Sequence, residues 1–181
     1  IPIKHGYGSS AACIVASLTA LANLQQVNLN QAEIIELAKQ AEDLQHGSSS
    51  GIDVNLAVRK NALYYQKTHI ETRTYKPLSA SAWVAINTGK RQCSTSDTIA
   101  QSSAIIEQDQ NILEEFTAVT KTIDQAYAKG DIKQLHEAIR HNHKLLLQIK
   151  VVPQKVNNFI EELEKNNASA KISGAGASAG D

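Results

Sequence analysis

The segment Gly6–Ala12, reading Gly-Tyr-Gly-Ser-Ser-Ala-Ala, limits what this chain can fold into more than any other. It runs directly into an apolar stretch, Ala11–Leu24. Glycine adopts positive φ without a steric cost. Such a loop can turn sharply and aim backbone N–H groups and a helix N-terminus at one point, an arrangement that favours an anion. No Gly-Lys-Ser/Thr follows, which excludes a phosphate loop of the Walker kind. Taken alone the segment has two readings: a phosphate cradle, or an ordinary buried helix capped by Ser9 or Ser10 after a tight turn.

The 181 residues, 42% of them hydrophobic, suffice for one substantial core or two small domains. Lysine plus arginine equals aspartate plus glutamate at 18 each, and no basic block stands out. That argues against nucleic acid or an anionic membrane as the main partner. The two cysteines, Cys13 and Cys93, belong to no Cys-x-x-Cys pair, so there is no zinc or redox signal. Cys13, inside the apolar stretch, is expected to be a small buried hydrophobe. No signal-peptide pattern and no apolar run of membrane-spanning length is present, and the expected compartment is cytoplasmic. The sequence holds no methionine, begins inside one motif and ends inside another, which predicts a piece of a longer protein.

The pattern along the chain predicts an α+β fold. Ile1–Ile3 reads as the end of a strand and Ser9 to about Gln26 as a mostly buried helix. Asn30 with Glu33 forms a capping-box pattern at the start of a second helix that Gly47 ends. A short apolar turn runs from Ile52 through Val58. Ala62–Lys67 and His69–Tyr75 alternate like a strand pair. Trp83–Asn87 reads as a buried strand. Helical patterns follow over Ser96–Lys129, interrupted near Asp109, then over Ile132–Ile149 and from Pro153 to about Lys165. A second glycine-rich turn, Gly174-Ala-Gly176, closes the chain. Lys76-Pro77-Leu78 is the expected boundary, giving domains 1–77 and 78–181.

Several residues in this order carry oxygen donors or charge. Asp53 ends the string His46-Gly-Ser-Ser-Ser-Gly-Ile-Asp53 just before a short helix, where the helix dipole favours a carboxylate and plain N-capping is the competing reading. Glu42 reads as an ordinary solvated helix-face carboxylate or, with a serine hydroxyl, as a source of the hard oxygens magnesium takes. Asn87–Thr95 joins Lys90 and Arg91 to hydroxyl side chains and reads as an anion site or a helix cap. Lys171-Ile-Ser-Gly174-Ala-Gly176 is a second candidate phosphate cradle or a plain turn. Phosphoryl transfer needs donors around the phosphates, a bridging magnesium ion and a group that orients or deprotonates the acceptor. Two glycine loops, a serine–glutamate pair and one placed aspartate supply that set. No histidine cluster, Ser-His-Asp order or Gly-x-Gly-x-x-Gly motif offers a rival.

Taken together these segments resemble the GHMP small-molecule kinases, and within them the mevalonate kinases. Pro2…Gly6-Tyr-Gly-Ser-Ser-Ala-Ala is similar to the family's second motif, His46–Asp53 to its His-Gly-x-Pro-Ser-Gly-Ile-Asp string, Asn87-Thr-Gly…Ser94-Thr95 to its Asn-Thr-x…Ser-Thr loop, and Lys171–Gly176 to its third motif. The resemblance implies a two-domain GHMP kinase fold, here lacking the N-terminal strands and truncated at the third motif. It implies an ATP- and Mg2+-dependent transfer to the primary hydroxyl of mevalonate, with room for a homodimer. Phosphomevalonate kinase, another GHMP kinase, and a GHMP-fold protein that binds ligand without chemistry are the alternatives. Carried over by residue, Asp53 is the catalytic group. Gly6, Tyr7, Gly8, Ser9, Ser10, Ala11, Gly174 and Gly176 lie at the nucleotide. Ser10 and Glu42 are the magnesium ligands, and Ser50, Gly51 and Thr95 line the substrate pocket. The chain departs from the pattern at Lys4-His5, at Tyr7, at Ser49 in place of a frequent proline, and beyond Gly176, where Ala177-Ser178-Ala179 replaces glycines. The family's first motif, with a lysine that pairs with the catalytic aspartate, is not in the sequence.

Overall fold

The structure, a computed structural model, describes residues 6–47, 49–66, 69–75, 78, 83–89 and 95–177. The expected strand end at Ile1–Ile3, the cationic part of the Asn87–Thr95 loop and residues 178–181 lie outside them. The chain divides into two compact units, Ile1–Tyr75 and Lys76–Asp181.

The first unit packs three helices, α1 (Ser9–Leu24), α2 (Gln31–His46) and α3 (Ile52–Arg59), ahead of a hairpin, β1 (Ala62–Gln66) and β2 (His69–Arg73). Asn30 caps α2 as its spacing predicts: its Oδ1 accepts the Ala32 and Glu33 N–H groups at 2.9 and 3.1 Å, and Glu33 Oε2 accepts the Asn30 N–H at 2.7 Å. Gly47, at φ 79°, ends the helix. The core joins Ala11 from α1, Ala38 from α2 and Val54 and Val58 from α3, with Ile14, Val15, Leu18, Ile34 and Ile35 around them. Ala11 and Ala38 are fully buried, and their small side chains let the helices approach closely. The strands pair antiparallel, Ala62 opposite Arg73 through Gln66 opposite His69. Arg73 lies over the Tyr64 ring, 5.3 Å from its centre.

Two expectations for α1 are corrected. The helix is not mostly buried: Ala11 is its one buried residue, and Leu21 and Leu24 are 55% and 78% exposed. Cys13 is exposed rather than a core residue. The reason is angular. At about 100° per residue, positions 11, 14, 15 and 18 form the face packed on α2 and α3, and position 13 points away from it.

The second unit holds α4 (Thr95–Gln108), α5 (Asn111–Lys129), α6 (Ile132–Gln148) and α7 (Gln154–Lys165). The break expected near Asp109 separates α4 from α5, with the Asp109 carboxylate accepting the Asn111 N–H at 3.1 Å. Gly130, at φ 72°, closes α5, and Asp131 caps α6 by accepting the Gln134 N–H at 2.9 Å. Three core clusters lie along the α5–α6 pair. Ile112 groups with Ile149 and Val151, Val119 with Ala138 and Leu145, and Ala126 with Leu135 and Ile139. Rising numbers on α5 meet falling numbers on α6, so the two run antiparallel. Ile112, Val119 and Ala126 are seven apart, the spacing of a coiled-coil seam. A polar pair joins α6 to α7, with His143 Nε2 3.0 Å from Asn157 Oδ1 in the interior.

Trp83–Asn87 is not a strand, which corrects the reading from sequence. Trp83, Val84 and Ile86 are 59%, 74% and 49% exposed. The segment has no partner strand among the described residues, and the Trp83 ring instead sits 5.9 Å from that of Tyr127 on α5.

Candidate active site

The glycine loop delivers α1 without a side-chain cap. Gly8 takes the N-cap position at φ 64°, and a glycine has no side chain with which to cap the helix. The reading of Ser9 or Ser10 as an ordinary cap is therefore overturned. The first N–H groups of a helix lack internal partners and carry the positive end of its dipole, so this end of α1 keeps its capacity for an anion. Gly6 also has positive φ, at 76°, Tyr7 is exposed, and Ser9 and Ser10 are half-buried. Ala11 contributes through packing, since its side chain lies wholly in the three-helix core.

Asp53 stands in the first turn of α3 and is exposed. It does not cap its helix, because the N-cap is Gly51 at φ 77°. The carboxylate is brought to the glycine loop instead. A Cβ placed on Gly8 would lie 3.3 Å from Asp53 Cγ and 3.5 Å from its Oδ1. Gly8 is thus glycine twice over, for its left-handed backbone and for the carboxylate beside it.

The loop between α2 and α3 is held by side chains from three elements. Asp43 Oδ1 accepts the Ser49 N–H at 2.6 Å, and Glu42 Oε2 accepts the Ser49 hydroxyl at 2.6 Å. Ser49 Oγ accepts the Gly51 N–H at 3.0 Å. The Tyr65 hydroxyl on β1 donates to the Ser50 carbonyl, and Asn55 Nδ2 on α3 donates to the Gly51 carbonyl at 3.0 Å. Arg59 in turn donates to Asn55 Oδ1 at 3.1 Å. Both backbone groups of Gly51 are used inside the loop. The Ser50 side chain is exposed, with Oγ 3.4 Å from the Ile52 N–H. Lys39 reaches Asp43 across one helical turn at 2.7 Å. The Lys39 ammonium and then the Ser49 N–H hold the Asp43 carboxyl below the usual carboxylate range, and Asp43 raises the Lys39 pKa in return.

Sequence reasoning named Glu42 and Asp53 as candidates but did not name Asp43, Asn55 and Tyr65, which support this loop. Asn55 had a usable signal, being four residues beyond Gly51 on one helix. Tyr65 had none, because the fold alone brings it to a residue fifteen positions earlier.

Glu42 is 6% exposed on α2, and Ser10 sits in the first turn of α1. Among the described residues no group of three or more histidine, cysteine, aspartate or glutamate side chains could hold a metal. Glu42 offers a buried carboxylate with the Ser49 hydroxyl at 2.6 Å, and magnesium usually takes one or two carboxylates and completes its shell with waters and substrate phosphates.

The remaining expected positions belong to the second unit. Thr95 is the first residue of α4. Gly174 and Gly176 have φ 77° and 71° in the turn after Lys171. Gly176 is required by packing, since a Cβ there would lie 2.2 Å from the Val151 carbonyl oxygen, which also accepts the Ala177 N–H at 2.9 Å. Ala177 is buried and is not among the residues at positive φ. The Lys171 side chain bends back to donate to the Ile172 carbonyl at 2.8 Å, and desolvation there lowers its pKa, although the residue as a whole stays exposed.

Residues 1–61 match the family model of the GHMP kinases N terminal domain, and residues 121–180 that of the GHMP kinases C terminal. The chain belongs to the GHMP kinases. Mevalonate kinase of Archaeoglobus fulgidus is 31% identical over 177 residues, covering 97% of this chain and 60% of that protein. Mevalonate kinase of Pyrococcus horikoshii is 30% identical over 186 aligned positions, covering 97% of this chain and 54% of that protein. This GHMP kinase chain thus spans a little over half the length of these relatives. The crystal structure of L. major mevalonate kinase in complex with R-mevalonate matches with a TM-score of 0.70 at 24% identity, over 93% of this chain and 54% of that one. That likeness concerns the fold: the α+β arrangement of helices and one hairpin described above is that of a GHMP kinase.

Proposed function

We propose that the intact protein transfers the γ-phosphoryl group of ATP to the primary hydroxyl of mevalonate, giving 5-phosphomevalonate for isoprenoid precursor synthesis. The observation that carries the reading is the Asp53 carboxylate set against Gly8 at the uncapped start of α1. A phosphate-binding helix end and an acceptor base are useful to each other only when adjacent, and the closeness of Asp53 to Gly8 supports that pairing. The relatives named mevalonate kinase support the choice of acceptor.

In this reading Gly6, Tyr7, Gly8, Ser9, Ser10 and Ala11 wrap the ATP phosphates, with Gly174 and Gly176 presenting backbone from the third motif. Ser10 and Glu42 would hold magnesium, which would offset charge on the phosphates. Asp53 orients the acceptor hydroxyl and takes its proton as the oxygen bonds to the γ-phosphorus and the bond to ADP breaks. Ser50, Gly51 and Thr95 line the acceptor pocket. Residues 1–77 form the remainder of the nucleotide-binding domain and 78–181 that of the C-terminal domain. No helix among the described residues is long and apolar enough to cross a membrane, and a cytoplasmic enzyme accords with water-soluble substrates.

The test is Asp53→Asn in the intact protein. Mevalonate-dependent ADP formation should fall by about 10²–10⁴ while a non-hydrolysable ATP analogue still binds. Near-wild-type turnover would remove Asp53 from the chemistry. Faster turnover on phosphomevalonate than on mevalonate would move the acceptor to another member of the family, and nucleotide binding without ATP consumption would make this a ligand-binding relative.

A further inference from the structure

Ser49 makes three hydrogen bonds, two to α2 and one to the start of α3. Its hydroxyl donates to Glu42 Oε2 and its backbone N–H to Asp43 Oδ1, both at 2.6 Å, and its Oγ accepts the Gly51 N–H at 3.0 Å. One residue therefore engages two consecutive carboxylates on α2 and the N-cap glycine of α3. It is also a position at which the chain departs from its motif. A proline there, having neither N–H nor hydroxyl, could make none of the three bonds. An alanine could make only the one to Asp43.

Glu42 is buried and its orientation rests on few partners. Among the described residues, Ser49 Oγ is its one protein donor; that bond occupies Oε2, and no described donor reaches Oε1. A short hydrogen bond onto a charged oxygen is of the stronger kind. The same hydroxyl oxygen fixes the Gly51 N–H, two residues before Asp53. A rotation of the Glu42 carboxylate would therefore pull on the turn that starts α3.

We propose that Ser49 is a positioning residue that presents the Glu42 carboxylate to a divalent cation and couples that carboxylate to the placement of Asp53. This rests on the reading of Glu42 as a metal ligand. Groups that hydrogen-bond a metal-binding side chain set its direction, and their removal typically costs about 10–100-fold in metal affinity or activity.

The experiment is calorimetric titration of Mn2+ into the intact protein saturated with a non-hydrolysable ATP analogue, so that no turnover is involved. Ser49→Ala should weaken Mn2+ binding by about 10–100-fold. Ser49→Thr keeps the hydroxyl and the N–H and should bind Mn2+ like the wild type. Glu42→Gln should weaken binding at least as much as Ser49→Ala. If Glu42→Gln weakens binding and Ser49→Ala does not, the positioning role is overturned and Glu42 remains a ligand. If both bind Mn2+ like the wild type, Glu42 is not a ligand and the role of Ser49 falls with it. If Ser49→Thr fails to restore binding while melting like the wild type, the hydroxyl is not the group that acts, and the proposal is overturned.

Discussion

Gly8 and Gly176 both have positive φ, but their missing side chains face different neighbours. A methyl group on Gly8 would press on the Asp53 carboxyl, and one on Gly176 would overlap the Val151 carbonyl oxygen at 2.2 Å. A left-handed backbone costs an L-residue about 1–2 kcal/mol in either case. Gly8→Ala should therefore lower kcat much more than its modest loss of stability would suggest, because the side chain it displaces is the proposed base. Gly176→Ala should lose more than about 2 kcal/mol, since backbone must shift in addition to that strain; urea unfolding of the two variants beside their turnover separates the effects. Asp43 gives a third expectation at this scale. Its carboxyl is held below the usual carboxylate range, first by Lys39 and then by the Ser49 N–H. A depressed folded pKa adds stability above the unfolded pKa of about 3.9 and loses it as pH falls through the lower folded value. The Ser49 amide resonance should accordingly move only below about pH 4, and Asp43→Asn should abolish that step. A Ser49 shift unchanged in Asp43→Asn would show that another group causes it.

Helix α2 was legible in the sequence because its signals are local. Asn30 and Glu33 lie three residues apart and close the capping box within one turn, and Gly47 ends the helix at positive φ. Replacing Asn30 by alanine should cost about 1 kcal/mol, read as a lower thermal midpoint; no change would mean that packing alone fixes the start of α2. Trp83–Asn87 misled because a strand needs a partner that composition cannot supply, and an apolar run without one lies open along the surface. Helix α1 misled in a related way. Its composition is apolar nearly all round, yet only the face carrying Ala11, Ile14, Val15 and Leu18 meets α2 and α3. Of the candidate site, Asp53 and Glu42 could be named from their motif and helix position. Ser49 was visible only as an oddity, since its partnership with Glu42 and Asp43 depends on how the chain turns between α2 and α3.

Among the described residues, each unit has buried clusters of its own. One cluster serves the three-helix unit, and three successive clusters line the α5–α6 pair. Leu145, 1% exposed in the middle cluster, should cost about 2–5 kcal/mol when cut to alanine. The sole tryptophan lies in the second unit against Tyr127. Its fluorescence reports on that unit, while far-ultraviolet dichroism reports on both. For Leu145→Ala the fluorescence transition should move to lower urea by the full amount, and an unmoved transition would mean that Leu145 does not stabilise the α5–α6 pair. The outward-facing thiol of Cys13 has a different use. It lies five residues beyond Gly8 on α1, about 7 Å along the axis at 1.5 Å per residue. With Cys93 replaced by serine, a fluorescent dye attached to that thiol would sit close enough to the glycine loop to register the nucleotide proposed to bind there, giving an optical record of occupancy in a protein whose chemistry has been switched off.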